Sequence, residues 1–164
     1  VSRERNVDRV FGIGIPCIEK MHQGQFVDVF EAANELYRQC EGEDGVFIRR
    51  CFSDLSSAMK HPDDTGFYCY RAIESLRHHC AYMNGLREAD KNKQWEKFRE
   101  SAQVTQDAIM LVKISADPVR HGEPIDITGE DRAKLFTTTW AIVGAYLNKL
   151  SGLPENGIKL AAAQ

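Results

Sequence analysis

Apolar residues recur along most of the chain at the three- and four-residue steps of an α-helix, and polar or glycine-rich breaks separate these stripes. Phe26, Phe30, Ala33, Tyr37 and Cys40 form the first stripe, which Glu41-Gly-Glu-Asp-Gly45 interrupts. Ile48, Cys51, Phe52, Leu55 and Met59 form a second, which stops at His61-Pro62. The spacing predicts the longest early helix over about 67–86, with Phe67, Tyr70, Ile73, Leu76, Cys80 and Met83 on one face. A polar loop over 87–92 then leads to a helix marked by Trp95, Phe98 and Ala102. Thr105 is a candidate cap for the next helix, which carries Ala108, Ile109, Leu111, Val112 and Ile114, and Pro118 is expected to kink or end it. Thr128, with Asp131 three residues on, resembles a capping box before a last long helix. That helix bears Leu135, Phe136, Trp140, Val143, Tyr146, Leu147 and Leu150 and is expected to end near Gly152-Leu-Pro154. Over residues 1–22 the alternation of Phe11, Ile13 and Ile15 suits a short extended piece, while Val7, Val10 and Phe11 also suit a helix.

The pattern therefore predicts an all-α, up-and-down bundle of about five to six helices. With no repeat or linker to divide it, the chain reads as one helical domain over 1–164. Its length of 164 residues suffices for a core that needs neither metal nor disulfide. Five cysteines are an odd number and contain no C-x-x-C pair, so neither a disulfide scaffold nor a zinc site is expected, and a reducing cytoplasm fits. The formal charge of −3 argues against a general nucleic-acid coat, although it leaves room for a local basic pocket. No apolar run is long enough for a membrane span, and Val1-Ser-Arg-Glu-Arg opens no signal-peptide-like stretch. The missing initiator Met points to a processed chain or a piece of a longer one.

Two polar groups carry the candidate chemistry. Arg71, Glu74, Ser75 and His78 fall opposite the apolar face of the 67–86 helix, where a carboxylate stands between a guanidinium and an imidazole. The plain structural reading is a solvated helix face with a weak ion pair. Asp117-Pro-Val-Arg-His-Gly122 concentrates a proton-exchanging histidine and a phosphate-binding arginine at one helix end. Its structural reading is a helix C-terminus with cations against the dipole and a glycine cap. Adjacent His78 and His79 diverge on a helix and cannot share one metal, and Cys80 belongs with the core.

At Tyr70-Arg-Ala-Ile-Glu-Ser-Leu-Arg77 and Ala116-Asp-Pro-Val-Arg-His-Gly122 the chain resembles the HEPN superfamily, and within it the Apea-like and related prokaryotic members. The resemblance covers 66–151, which it makes a HEPN-like core; residues 1–65 are then an N-terminal helical part of unknown affinity. It implies a helical bundle that is commonly homodimeric and, in active members, metal-independent RNA cleavage with no cofactor. It carries Arg120 and His121 over as the motif pair, and so as the catalytic candidates, with Arg71 and Glu74 as the polar residues facing them; His78, on the same helix face, joins those two as a substrate-binding candidate. Active members separate the arginine from the histidine by several residues, whereas here they are adjacent.

The first functional expectation is a metal-independent endoribonuclease of a prokaryotic defence or toxin-type system. The alternative is a non-catalytic helical module that binds a protein, nucleotide or RNA partner, and a third reading is a bundle used only for oligomerisation. The many large apolar residues of the last helix add to the expectation of a homodimer.

Overall fold

The computed structural model describes residues 37–123 and 125–151. The expected N-terminal extended piece, most of the first stripe and the expected end at Gly152-Leu-Pro154 lie outside these residues. Helices α1 (Gly45–Lys60), α2 (Thr65–Met83), α3 (Lys91–Ala102), α4 (Gln106–Arg120) and α5 (Gly129–Ser151) form an all-α bundle, with a single 3₁₀ turn at Pro62–Asp64. α2 is its axis. It packs against all four other helices, and α5 also contacts α3 and α4. Twelve of its 19 residues are buried, so this helix has no fully solvated side. The core comprises Ile48, Cys51 and Leu55 from α1, Ile73 and Leu76 from α2, Phe98, Val112, and Val143 and Tyr146 from α5.

Local chemistry sets the helix boundaries. Thr105 accepts a hydrogen bond from the Ala108 amide at 3.2 Å, as its capping position predicts. Thr128 accepts from the Asp131 amide at 3.1 Å, and its hydroxyl donates to the Asp131 carboxylate at 2.6 Å. Asp90 caps α3 by accepting from Asn92, so this helix begins at Lys91, inside the expected loop. α2 stops at Met83, short of the expected Leu86, because Gly85 takes a φ of +66°. The Leu86 and Gly85 amides then close on the Ala81 and Tyr82 carbonyls, at 2.7 and 3.2 Å.

Pro118 does not end α4. The helix continues to Arg120 and closes by the same kind of cap, with Gly122 at φ +77° and the Glu123 amide on the Pro118 carbonyl at 3.0 Å. A proline in the last turn forfeits only one backbone bond, which the cap outweighs.

α5 also departs from the expectation that its apolar residues exceed what one bundle buries. Leu135, Phe136, Ile142, Val143 and Tyr146 lie in the core, and Trp140, Leu147 and Leu150 pack against it. The exposed large apolar residues among those described are Tyr37, Val46, Met83 and Ile114, none of them on α5. Met83, expected on the apolar face of α2, is 55% exposed.

No helix among the described residues is long and apolar enough to cross a membrane.

Candidate functional site

The expected polar face of α2 is divided between two of its neighbours. Arg71 turns to α1, where its guanidinium lies 3.3 Å from Asp54 and 5.4 Å from the Phe67 ring centroid. Asp54 is 5% exposed; burial raises the pKa of its carboxyl, opposed by Arg71 and Arg50. His78 also faces α1, exposed, with its ring stacked on Phe47 at 6.3 Å and 17°. Ser75 is buried. Glu74 looks the other way, and its charge acts on Tyr70 and Arg77. The fold thus separates Glu74 from Arg71, because α2 meets different helices on its different sides, while Glu74 and His78 both bear on Arg77.

Glu74 shares Tyr70 with the end of α4. The Arg120 guanidinium stands 5.9 Å from the Tyr70 ring centroid, and its ion-pair partner Asp117 is 3.7 Å away. Asp117 is more tightly held by Lys113 at 2.5 Å; that hydrogen bond is the main reason its pKa lies below the usual carboxylate value. The Tyr70 hydroxyl is pushed up to about 12, first by burial and then by the Glu74 charge. His121 is the C-cap of α4 and is exposed. Arg120 and Glu74 are therefore gathered at Tyr70 where α2 meets α4, with His121 next to Arg120 in the chain; Arg71 lies apart, and His78 adjoins the site through Arg77, 2.9 Å from its Nε2.

Arg77, which the search for polar faces passed over, fixes the floor of this site. It is 2% exposed, donates to the Gln94 side-chain oxygen, and lies 5.1 Å above the Trp95 ring. Tyr70 stacks on Trp95, the ring centroids 6.1 Å apart and the interplanar angle 22°. Arg120, Tyr70, Trp95 and Arg77 thus form a series of two stacked rings with a cation at each end, each cation held to its ring by the quadrupole. Burial lowers the Arg77 pKa, opposed by Glu74. Gln94 uses its amide to hold the α2–α3 loop through the Leu86, Arg87 and Ala89 carbonyls, at 3.0, 3.2 and 2.9 Å. The signal in the sequence was a charged residue inside an apolar register: Arg77 lies four residues after Ile73 and three before Cys80.

A second buried group, also missed, ties α5 to the start of α1. His79 is 2% exposed; its Nδ1 lies 2.7 Å from the Tyr146 hydroxyl and its Nε2 3.7 Å from Asp44. With a carboxylate on the Nε2 side, the neutral ring carries its proton there and accepts from Tyr146 at Nδ1. Burial holds the His79 pKa below 6.5, and Asp44 opposes the shift. The folded state therefore binds fewer protons than the unfolded chain just below pH 6.5. The resulting stability is complete above 6.5 and is lost as pH falls through the folded pKa. His78, held down in the same direction by burial and by Arg77, adds to the slope. Melting temperatures measured downward from pH 7.5 should fall for the wild type, and His79→Gln should show a shallower acid dependence. Equal slopes would contradict this account of His79.

Chemically, the Tyr70 site offers an oriented guanidinium, a neighbouring imidazole and a carboxylate. Among the described residues no group of three or more His, Cys, Asp and Glu side chains is placed to hold a metal ion. No curated protein and no solved structure matches the chain. A family match covers residues 33–151, more than half of the chain, and the protein belongs to that family, described as the domain of unknown function (DUF8168) C-terminal domain.

Proposed function

We propose that the domain is a helical binding module that holds a phosphate group of RNA or of a nucleotide where α2 meets α4, with Arg120 as the anion contact. The observation that carries this reading is the Arg120 guanidinium set over the Tyr70 ring, itself stacked on Trp95. A planar fork restrained in this way loses less freedom on binding an anion than a solvated arginine does. Lys113, Arg120 and Arg77 stand against Asp117 and Glu74, so one cation is left in excess at the site. Binding of labelled RNA and of nucleoside monophosphates, followed by anisotropy and calorimetry, tests it. Arg120→Lys should weaken binding about tenfold, because an ammonium replaces a two-pronged charge-assisted contact worth roughly 1.5–3 kcal/mol. Unchanged affinity in that variant would end this reading.

A specific observation favours a second reading, the metal-independent endoribonuclease. His121 is exposed directly beside Arg120, where it could exchange a proton with a ribose 2′-hydroxyl while Arg120 stabilises the charged phosphorus centre. The resemblance to HEPN proteins would place such an enzyme in a prokaryotic defence or toxin-type system. The protein should then cleave RNA in the presence of chelator and leave 2′,3′-cyclic phosphate ends. His121→Ala should lower the rate by at least about 100-fold, with stability within roughly 1 kcal/mol of wild type. Cleavage that persists undiminished in His121→Ala would belong to another site or a contaminant.

The same resemblance proposes a homodimer paired through α2 and α4, and Ile114, 64% exposed on α4, is the apolar residue that favours it. Sedimentation should show dimer at micromolar concentration and monomer for Ile114→Glu.

A further inference from the structure

We propose that the face formed by α1, α2 and the start of α3 is a second contact surface for the same ligand, and that this ligand is a single-stranded polynucleotide. The inference rests on the reading of Arg120 as a phosphate contact and extends it to a strand. Its geometric basis is a continuation of the series of cations and rings beyond Arg77. That guanidinium reaches the His78 Nε2 at 2.9 Å, and the His78 ring stacks on Phe47 at 6.3 Å. Phe47 lies 6.1 Å from the Tyr82 ring, over which Arg87 stands at 5.4 Å. His78 and Arg87 are exposed, and Phe47 and Tyr82 are half-buried, so ring surface is anchored from below and open to a base above.

The charges that bear on the His78 ring are all positive. Arg50 on α1 and Lys91 at the start of α3 are exposed and close enough for their charges to bear on His78, together with Arg77. Of the carboxylates nearby, Asp54 is paired with Arg71, whereas Asp44 meets a neutral His79 and Asp90 a backbone amide, neither of them a cation. Cations that carry phosphates beside rings that carry bases are the two parts that single-strand recognition needs, and a duplex would bury the base faces it requires.

Position along α2 gives the span. Tyr70, beneath Arg120, and His78 are eight residues apart in one helix, which is about 12 Å of rise. A strand of a few nucleotides covers that distance and a mononucleotide does not. The chain as a whole is acidic, at −3, so the contact should be local and sensitive to salt.

The test measures a short fluorescein-labelled oligouridylate against the intact protein over a range of salt concentrations, with uridine monophosphate, a hairpin duplex and polyglutamate as competitors. Arg50→Gln and Lys91→Gln remove exposed charges and should each lower the slope of log affinity against log salt by about 1. Phe47→Leu keeps an apolar side chain under the platform but removes the ring, and should weaken the oligonucleotide about tenfold. Lys149→Gln, which removes an exposed charge on α5, should change neither quantity. Losses at Arg120 alone, with the Arg50, Lys91 and Phe47 variants unchanged, would overturn the second surface and leave the phosphate site. Losses at these three residues with Arg120→Lys unchanged would keep the strand platform and remove the reading of Arg120. Polyglutamate competing as well as RNA, with Phe47→Leu silent, would overturn the polynucleotide. No binding of any probe would overturn both readings.

Discussion

Gly66→Ala is expected to destabilise the domain by about 3 kcal/mol, the upper part of the usual range for overpacking. An added Cβ would come within 2.6 Å of the Ser115 carbonyl oxygen and 2.8 Å of its carbon. Both atoms are backbone, so no side chain can swing aside, and relief requires α2 and α4 to move apart. Ala116, next to Ser115 on α4, is fully buried as well. The displacement would also shift Tyr70 relative to Arg120, so the proposed phosphate binding should weaken along with stability. The measurement is the urea midpoint at unchanged slope, with Gly129→Ala as the comparison. A Cβ at Gly129 meets nothing within 4 Å, and alanine there should be neutral or stabilising by up to about 1 kcal/mol. A Gly66→Ala midpoint equal to that of the wild type would refute the close approach of the two helices.

Phe98→Ala is expected to cost about 3–5 kcal/mol, the usual loss for a fully buried phenylalanine. Phe98 is 0% exposed and lies edge-on to Trp95 at 5.9 Å and 5.2 Å from the Tyr146 ring. Through Trp95 it braces the stack that carries Tyr70 and Arg77, and through Tyr146 it adjoins the His79 pair. Its removal should therefore act on the site as well as on stability. Near-ultraviolet circular dichroism should lose intensity from Trp95 even where the fold persists. Phe98→Leu, which fills more of the space, should retain most of the stability and most of that signal. A loss below about 1 kcal/mol for the alanine variant would mean that the core relaxes round the cavity far more than a close-packed bundle should.

Much of the fold could be read directly from the order of residues. Helical stripes located all five helices, because a 3.6-residue period leaves apolar residues on a repeating face whatever the partner helix is. Thr105 and the pair Thr128 and Asp131 placed two helix starts, since capping depends on side chains within three residues of the end. The ends of α2 and α4 were displaced because each depends on a backbone choice at a glycine: Gly85 stops one helix early, and Gly122 lets the other pass its proline.

The site was legible only in part. Arg120 and His121 read as one group and Glu74 with Arg71 and His78 as another, because local spacing sets which residues share a helix end or a helix face. That Glu74 shares Tyr70 with Arg120, away from Arg71, could not be read from α2 alone. Opposite sides of this helix meet different helices, and that arrangement depends on contacts such as Asp54 with Arg71 across 17 residues and Tyr70 with Trp95 across 25. The buried places of Arg77 and His79 have the same cause. A charged or titratable side chain enters a core where a distant residue takes up its polar atoms, as Gln94 does for one Arg77 nitrogen and Tyr146 for His79 Nδ1. Local periodicity thus determined the helices and the candidate residues, while tertiary packing decided which of those residues share a surface, because partners far apart in the chain meet only once the bundle has formed.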